Sequence, residues 1–387
     1  MNYTKHHISE SDISAVVDCL RSGNITRGDL TKQYEQAITL ATDTEYAVAF
    51  NTGTTALQAG VAVMRTEYER HHQPDERSSA MPSSAYDILT TPLTFIATTN
   101  ACLLNNCHPV FTPINDQGLM DINQLAHIIN TYYYTPVGSS DPNQLINKQS
   151  GRILIGVLPV HYTGQLVCIP HLLELASHYQ IYVLDDGAHS LGITRTPHKL
   201  HPYHIGTAYS THPAKIITTG EGGIVTTNNH LIATKLKQYR NNGLSVEQGV
   251  YTWHNTGING HLSDIQAALG LSQIRRLDWN LARRRYIASE YIRAGLDILG
   301  KANINNSAWH ITVLRVNDWH ANHAANRIQP VKHYTLVNKL MARQPHKFTK
   351  YPLGGSPNDN FDNTIVTLPC YPDMTNEEVQ QVIDQQP

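Results

Sequence analysis

The feature that most constrains this chain is an alternation. Short apolar runs recur along its first two thirds, each parted from the next by a stretch with helical spacing. Tyr46–Phe50 and residues 87–90, 108–112, 153–160 and 181–185 read as strands, followed by residues 206–210 and Gly223–Thr227. Helices are expected between them at 56–67, 94–105, 122–131 and 169–178. Apolar strands separated by helices argue for a parallel sheet buried on both faces. The expectation is an α/β fold with a mostly parallel, seven-stranded sheet between helices.

Two helices should precede the sheet. Residues 8–22 place Ile13, Val16, Val17 and Leu20 on one face, and a second helix covers 30–41. Gly23 to Gly28 breaks the run between them. Polar insertions at 69–84 and 135–152 read as surface loops. A long helical stretch covers 263–295, and a smaller α+β domain follows. It ends in a helix over 375–384, with Thr375 and Glu378 as a capping box. The division is expected between 1–260 and 261–387.

Composition narrows the function. The net charge is −2, so no basic field is available to hold nucleic acid. The five cysteines form no C-x-x-C pair and are odd in number, which fits a reducing cytoplasm better than a disulfide framework. No apolar run approaches the ~20 residues a membrane helix needs. The histidines are scattered, so no metal site is expected.

Four features carry chemistry. Asp185-Asp186 closes an apolar strand, where an open α/β sheet has its ligand crevice. A helix cap, a magnesium site and a partner for a pyridine nitrogen are all compatible with that pair. Lys215 lies between a strand and the glycine-rich turn Gly220-Glu221-Gly222-Gly223. Alone it reads as an exposed lysine. Beside Asp186 it completes a chemical set: an amine for an aldehyde cofactor and a carboxylate for its ring nitrogen. Asn51-Thr52-Gly53-Thr54-Thr55 precedes a helix, whose free amides attract phosphate; Ser210 adds a hydroxyl. Phe95, at the start of a helix, is either a stacking ring or a core residue.

In order, these features resemble the DegT/DnrJ/StrS family of sugar aminotransferases, which are fold-type I pyridoxal-phosphate enzymes. Thr218-Thr219-Gly220-Glu221-Gly222-Gly223 and Ser263-Asp264-Ile265-Gln266-Ala267-Ala268-Leu269-Gly270 carry the resemblance most specifically. It implies that Lys215 forms the Schiff base and moves the proton, and that Asp186 pairs with the ring nitrogen. Gly53, Thr54, Thr55 and Ser210 would bind the phosphate, Phe95 would stack, and His189 would lie near the ring. Asn259 would reach a phosphate across a homodimer interface. Thr26, His161 and His333 are the residues expected toward substrate, though His161 is as readily a packed strand-end histidine.

The cofactor would cycle between pyridoxal 5'-phosphate and pyridoxamine 5'-phosphate. L-glutamate would supply the amino group, and C4 of a nucleotide-linked 4-keto-6-deoxy sugar of the pseudaminic acid type would receive it. The alternatives are a sister enzyme for another keto-sugar, of the perosamine or legionaminic type, and a non-catalytic paralogue. The chain departs from the family pattern at Gly187, at Gly260-His261 and at Thr335-Leu336-Val337-Asn338, where substrate contacts are expected.

Overall fold

The computed structural model describes residues 3–72, 86–137, 143–193, 201–317, 331–350 and 357–386. Its elements follow the expected alternation. The first part runs α1 (Glu10–Ser22), α2 (Asp29–Thr42), β1 (Tyr46–Phe50), α3 (Gly53–His72), β2 (Tyr86–Thr90), α4 (Ile96–Leu104) and β3 (Cys107–Phe111). Then come α5 (Ile122–Tyr132), β4 (Tyr133–Tyr134), β5 (Ile146–Asn147), β6 (Ile153–Leu158), α6 (Ile169–Tyr179), β7 (Tyr182–Asp186), β8 (His204–Ser210) and β9 (Gly223–Thr227). The rest comprises α7 (His230–Arg240), β10 (Leu244–Glu247), β11 (Val250–Trp253), α8 (Asp264–Ile274), α9 (Leu277–Arg293), β12 (Thr312–Arg315), α10 (Val337–Leu340), β13 (Thr349–Lys350), β14 (Ile365–Leu368) and α11 (Asn376–Asp384).

The seven expected strands form the body of a ten-stranded sheet in the order β1-β9-β8-β7-β6-β2-β3-β13, with β4 and β5 beside β6. All inner pairings from β8 to β3 are parallel; β9 alone among the seven runs the other way, against both β1 and β8. Burial on both faces explains the apolar runs. Leu154 and Val183 pack with α5 and α6, while their neighbours Ile155 and Leu184 pack with α3 and α4 on the other face. Helix α3 lies close on the sheet because residue 60 is glycine: a Cβ there would sit 2.6 Å from Leu184 Cδ2.

Several expectations need correction. The stretch 263–295 is two helices, broken at Arg275 and Arg276, each too short to span the sequence pattern alone. The core changes inside α9: Leu277 and Leu281 pack with Tyr34 and Leu262, whereas Ile287 and Tyr291 pack with Trp309 and Val366. Helix α1 does not bury its apolar face, since Ile13 and Leu20 are exposed. It is held instead by buried Asp12, which accepts hydrogen bonds from Arg276 (2.6 Å) and Gln273 (2.9 Å).

The 135–152 insertion is more than a loop. It supplies β5, and Asn147 (2.8 Å) and Arg152 (2.6 Å) anchor on the buried Asp87 together with Tyr133 (2.9 Å). Of the 69–84 insertion, residues 69–72 extend α3 and the remainder lies outside the described residues. The capping box is present: Thr375 Oγ1 accepts from the Glu378 amide at 3.1 Å, and Glu378 accepts from the Thr375 amide at 2.9 Å. The small domain pairs β12 with β14 over its own core. No described helix is long and apolar enough to cross a membrane.

Candidate active site

Strand direction gathers the site on one edge of the sheet. Phe50 at the end of β1 and Ser210 at the end of β8 both pair with Gly223 at the start of β9. Asp186 ends the neighbouring parallel strand, opposite Ala208. Lys215 lies in the turn that reverses β8 into β9. That turn is closed by the Thr211 amide on Gly222 O (2.9 Å), the Thr219 amide on Thr211 O (3.0 Å) and the Lys215 amide on His212 O (2.8 Å). A cavity of about 520 Å³ opens there, lined among others by Gly53, Phe95, Asp186, Ser210, Lys215 and His333.

Alternation along β7 resolves the carboxylate pair. Asp185 faces away from the cavity and accepts from Thr207 (3.2 Å) and meets His204 (3.1 Å). Asp186 faces into it, buried, accepting from Thr98 Oγ1 (2.7 Å) and the Ala188 amide (3.1 Å). Burial raises its pKa, while those two hydrogen bonds and the Lys215 ammonium pull it down. A protonated ring nitrogen opposite Asp186 would supply the counter-charge that burial demands.

Desolvation brings Lys215 down to about 8, with Asp186 acting in the other direction. A sizeable fraction of an ordinarily cationic side chain is then a free amine near neutrality, as a nucleophile for an aldehyde requires. Three buried histidines of the cavity are disfavoured as cations. Burial holds His189 and His310 well below the usual histidine range and lowers His333 to about 4, and the Lys215 charge adds to each effect.

The end of the cavity expected to take the phosphate is built by close approach. A Cβ on Gly53 would lie 2.7 Å from Ser210 Cβ and 2.8 Å from its Oγ, so only glycine lets the start of α3 meet β8. At that helix start the Gly53 and Thr54 amides have no carbonyl of an earlier turn to reach. Thr55 is placed differently: its amide donates to Thr52 Oγ1 (3.0 Å) and its hydroxyl meets the same atom (2.8 Å), outside the cavity lining. Glycine approach, hydroxyl, amine and buried carboxylate together fit pyridoxal phosphate. Among the described residues no group of three His, Cys, Asp or Glu side chains could hold a metal ion.

The structure separates the other expected residues. Phe95 caps α4, is 57% exposed and sets its ring 6.0 Å from that of Tyr334. His189 and His333 line the cavity. His161 is fully buried behind it, its Nδ1 accepting from the Val167 amide at 3.3 Å. Thr26, bridged to Ser263, and Asn259, bridged to Asn241, are exposed and lie outside this cavity.

Among the lining residues given no role from the sequence are Tyr3, Thr98, His310 and Tyr334, the last noted there only as the neighbour of His333. Tyr334 meets His189 Nε2 at 3.0 Å, and the His310 and His189 rings are 4.3 Å apart. Thr98 had a signal, since it stands one helical turn after Thr94, and their hydroxyls are 2.7 Å apart. His310 had none, because its position follows from how the small domain folds back.

Known proteins share this fold and, at low identity, this sequence. A Helicobacter pylori UDP-4-amino-4,6-dideoxy-N-acetyl-beta-L-altrosamine transaminase is 26% identical over 98% of this chain and 95% of its own length. The solved structure of Helicobacter pylori PseC, an aminotransferase involved in the biosynthesis of pseudoaminic acid, superposes with a TM-score of 0.81 at 23% identity, covering 99% of this chain and 97% of that one. NtdA from Bacillus subtilis, solved with bound cofactor PMP, has the same fold, with a TM-score of 0.77 at 20% identity over 98% of this chain and 82% of that one. Matched over residues 6–386 by the DegT/DnrJ/EryC1/StrS aminotransferase family, the chain belongs to that family.

Proposed function

We propose that this aminotransferase moves the amino group of L-glutamate to C4 of a nucleotide-linked 4-keto-6-deoxy sugar of the kind used for pseudaminic acid. The observation that carries the chemistry is the meeting of Lys215 and Asp186 in one cavity whose edge is the Gly53–Ser210 contact. The sugar assignment is supported by the altrosamine transaminase and PseC, whose lengths the chain matches almost fully.

Pyridoxal phosphate supplies an aldehyde that condenses with amines and a ring that draws electrons from the carbon beside that nitrogen. Asp186 would keep a proton on the ring nitrogen, its carboxylate oriented by Thr98 and the Ala188 amide. Gly53, Thr54 and Ser210 would hold the phosphate, and Phe95 would cover the ring. The Lys215 amine takes the proton from the glutamate α-carbon and returns one to the adjacent position. With the keto-sugar bound it performs the same transfer in reverse. Neutral His189 and His333 leave that amine as the basic centre.

Among the described lining residues there is no arginine, and Lys215 is the one ammonium group. The glutamate carboxylates and the nucleotide phosphates therefore need donors from elsewhere. We assign these to a second copy in a homodimer, with the segment around Asn259 of each chain completing the site of the other. The test is spectroscopic. The reconstituted protein should absorb near the visible edge, lose that band with glutamate, and regain it with the right sugar from a panel of UDP-, dTDP- and GDP-linked 4-keto sugars. A colourless protein after reconstitution would sink the enzyme assignment, and recovery with a dTDP or GDP sugar alone would replace the pseudaminic one.

A further inference from the structure

Helix α9 starts beside the lysine turn and ends in the core of the small domain. Its first two turns carry Asn280 and Arg284, four residues apart and so on one face. Both are buried, Arg284 to 2% exposure. Among the described residues no carboxylate pairs with Arg284, and desolvation lowers its pKa. Its Nε donates to Asn280 Oδ1 (2.7 Å), and Nη1 donates to the carbonyls of Cys370 (2.6 Å) and His310 (3.0 Å). Asn280 uses its other end in the opposite direction: Nδ2 donates to the Ile216 carbonyl at 2.5 Å.

These contacts form one continuous line. It begins at the residue after Lys215, crosses the amide of Asn280 and the guanidinium of Arg284, and ends on the backbone of His310. Lys215 and His310 both line the cavity, from different domains. The far end is fixed too, since the His310 amide donates to Thr163 O at 3.1 Å. The lysine turn is also held by His6 Nδ1 on Pro213 O (2.6 Å) and by Gln266 Nε2 donating to Glu221 O (2.7 Å), but neither contact reaches the small-domain wall of the cavity. Burying a guanidinium with no counter-charge is unfavourable, and an apolar residue of similar volume would pack α9 with less desolvation. Packing alone therefore does not account for this pair.

We propose that Asn280 and Arg284 are positioning residues: a buried bridge that holds the Lys215 turn and His310 in register across the cavity, so that the lysine amine is presented to the cofactor. The bridge rests on the assignment of Lys215 as the cofactor lysine. It acts through the backbone of Ile216 and touches no reacting atom.

The test uses the full-length protein with Asn280→Asp, which keeps the acceptor for Arg284 and removes the donor to Ile216. Arg284→Lys breaks the line from the other end and serves where the first variant does not fold. The control is Ile287→Ala, on the same helix, which removes core packing and touches neither carbonyl. Two readouts are taken: the pH dependence of pyridoxal phosphate uptake by the cofactor-free protein, and kcat and KM for glutamate.

In the wild type, uptake should rise through a midpoint near 8. Asn280→Asp should move the midpoint up by about one pH unit, as the loosened turn rehydrates the amine, and lower kcat roughly tenfold with KM within about twofold. Ile287→Ala should lower the melting temperature and leave the midpoint in place. A wild-type midpoint in Asn280→Asp, or an equal shift in Ile287→Ala, overturns the bridge. An uptake profile unchanged by Lys215→Ala instead overturns the assignment of Lys215, and the bridge with it.

Discussion

The two walls of the cavity are built by different means. One is the sheet edge, where Asp186, Ser210 and Lys215 stand at strand ends or in the turn between strands, opposite the first residues of α3. The other is imidazole and phenol: His310, His333 and Tyr334 from the small domain, against His189. The first wall concentrates charge in a few groups that are fixed by backbone geometry. The second is buried and electrically neutral, because desolvation and the nearby Lys215 suppress every imidazolium. Under the proposed function this contrast becomes a division of labour, with proton transfer and cofactor binding on the sheet edge and shape on the opposite wall.

The largest expected effect breaks the first wall. Lys215→Ala should lower turnover by on the order of a thousandfold or more, since the amine is proposed as both attachment point and proton carrier. In the proposed role the reactive form is the deprotonated amine, and burial lowers the Lys215 pKa to about 8. Single-turnover rates limited by this amine should climb as pH rises through that value and level off above it. A flat profile between pH 7 and 9 would mean that another group carries the proton.

Asp186→Asn should come next, at roughly a hundredfold in kcat, because a neutral amide no longer favours a protonated ring nitrogen. The cofactor spectrum should change with it. Gly53→Ala should weaken cofactor retention by about tenfold or more, with kcat largely recovered at saturating pyridoxal phosphate. Its methyl has no room against Ser210.

The smallest effect belongs to the second wall. Tyr334→Phe removes one hydroxyl that meets His189 and should cost only about threefold to tenfold, mainly in KM for the keto-sugar. A loss as deep as that of Asp186→Asn, expressed in kcat, would end the division between the walls and make Tyr334 part of the proton path.

The same contrast explains what could be read in advance. Strand runs such as 153–160 and 181–185 were legible because burial on both faces leaves continuous apolar sequence. That Asp186, Lys215 and Gly53 would meet in one cavity was legible because each belongs to a local motif at a strand or helix end. The stretch over 263–295 was read as one long helix and is two. Its periodicity was right, but Arg276 at the break meets Asp12 of α1 in a part-buried polar contact that no local pattern announces. Thr55 shares its motif with Thr54 and differs only in having turned its hydroxyl to Thr52.

By itself the sequence determined the α/β alternation, the strand ends that could bear ligands, and the pairing of an amine with a carboxylate. Those depend on periods and motifs spanning a few residues. Only the tertiary structure decided that Asp186 faces inward and Asp185 outward, that His161 is sealed behind the cavity, and that His310 and Tyr334 close it. It alone set Asn280 and Arg284 between the lysine turn and His310. Contacts between residues tens of positions apart depend on how two domains pack, and side-chain burial, which sets both the lysine pKa and the neutrality of the histidines, exists only once they have packed.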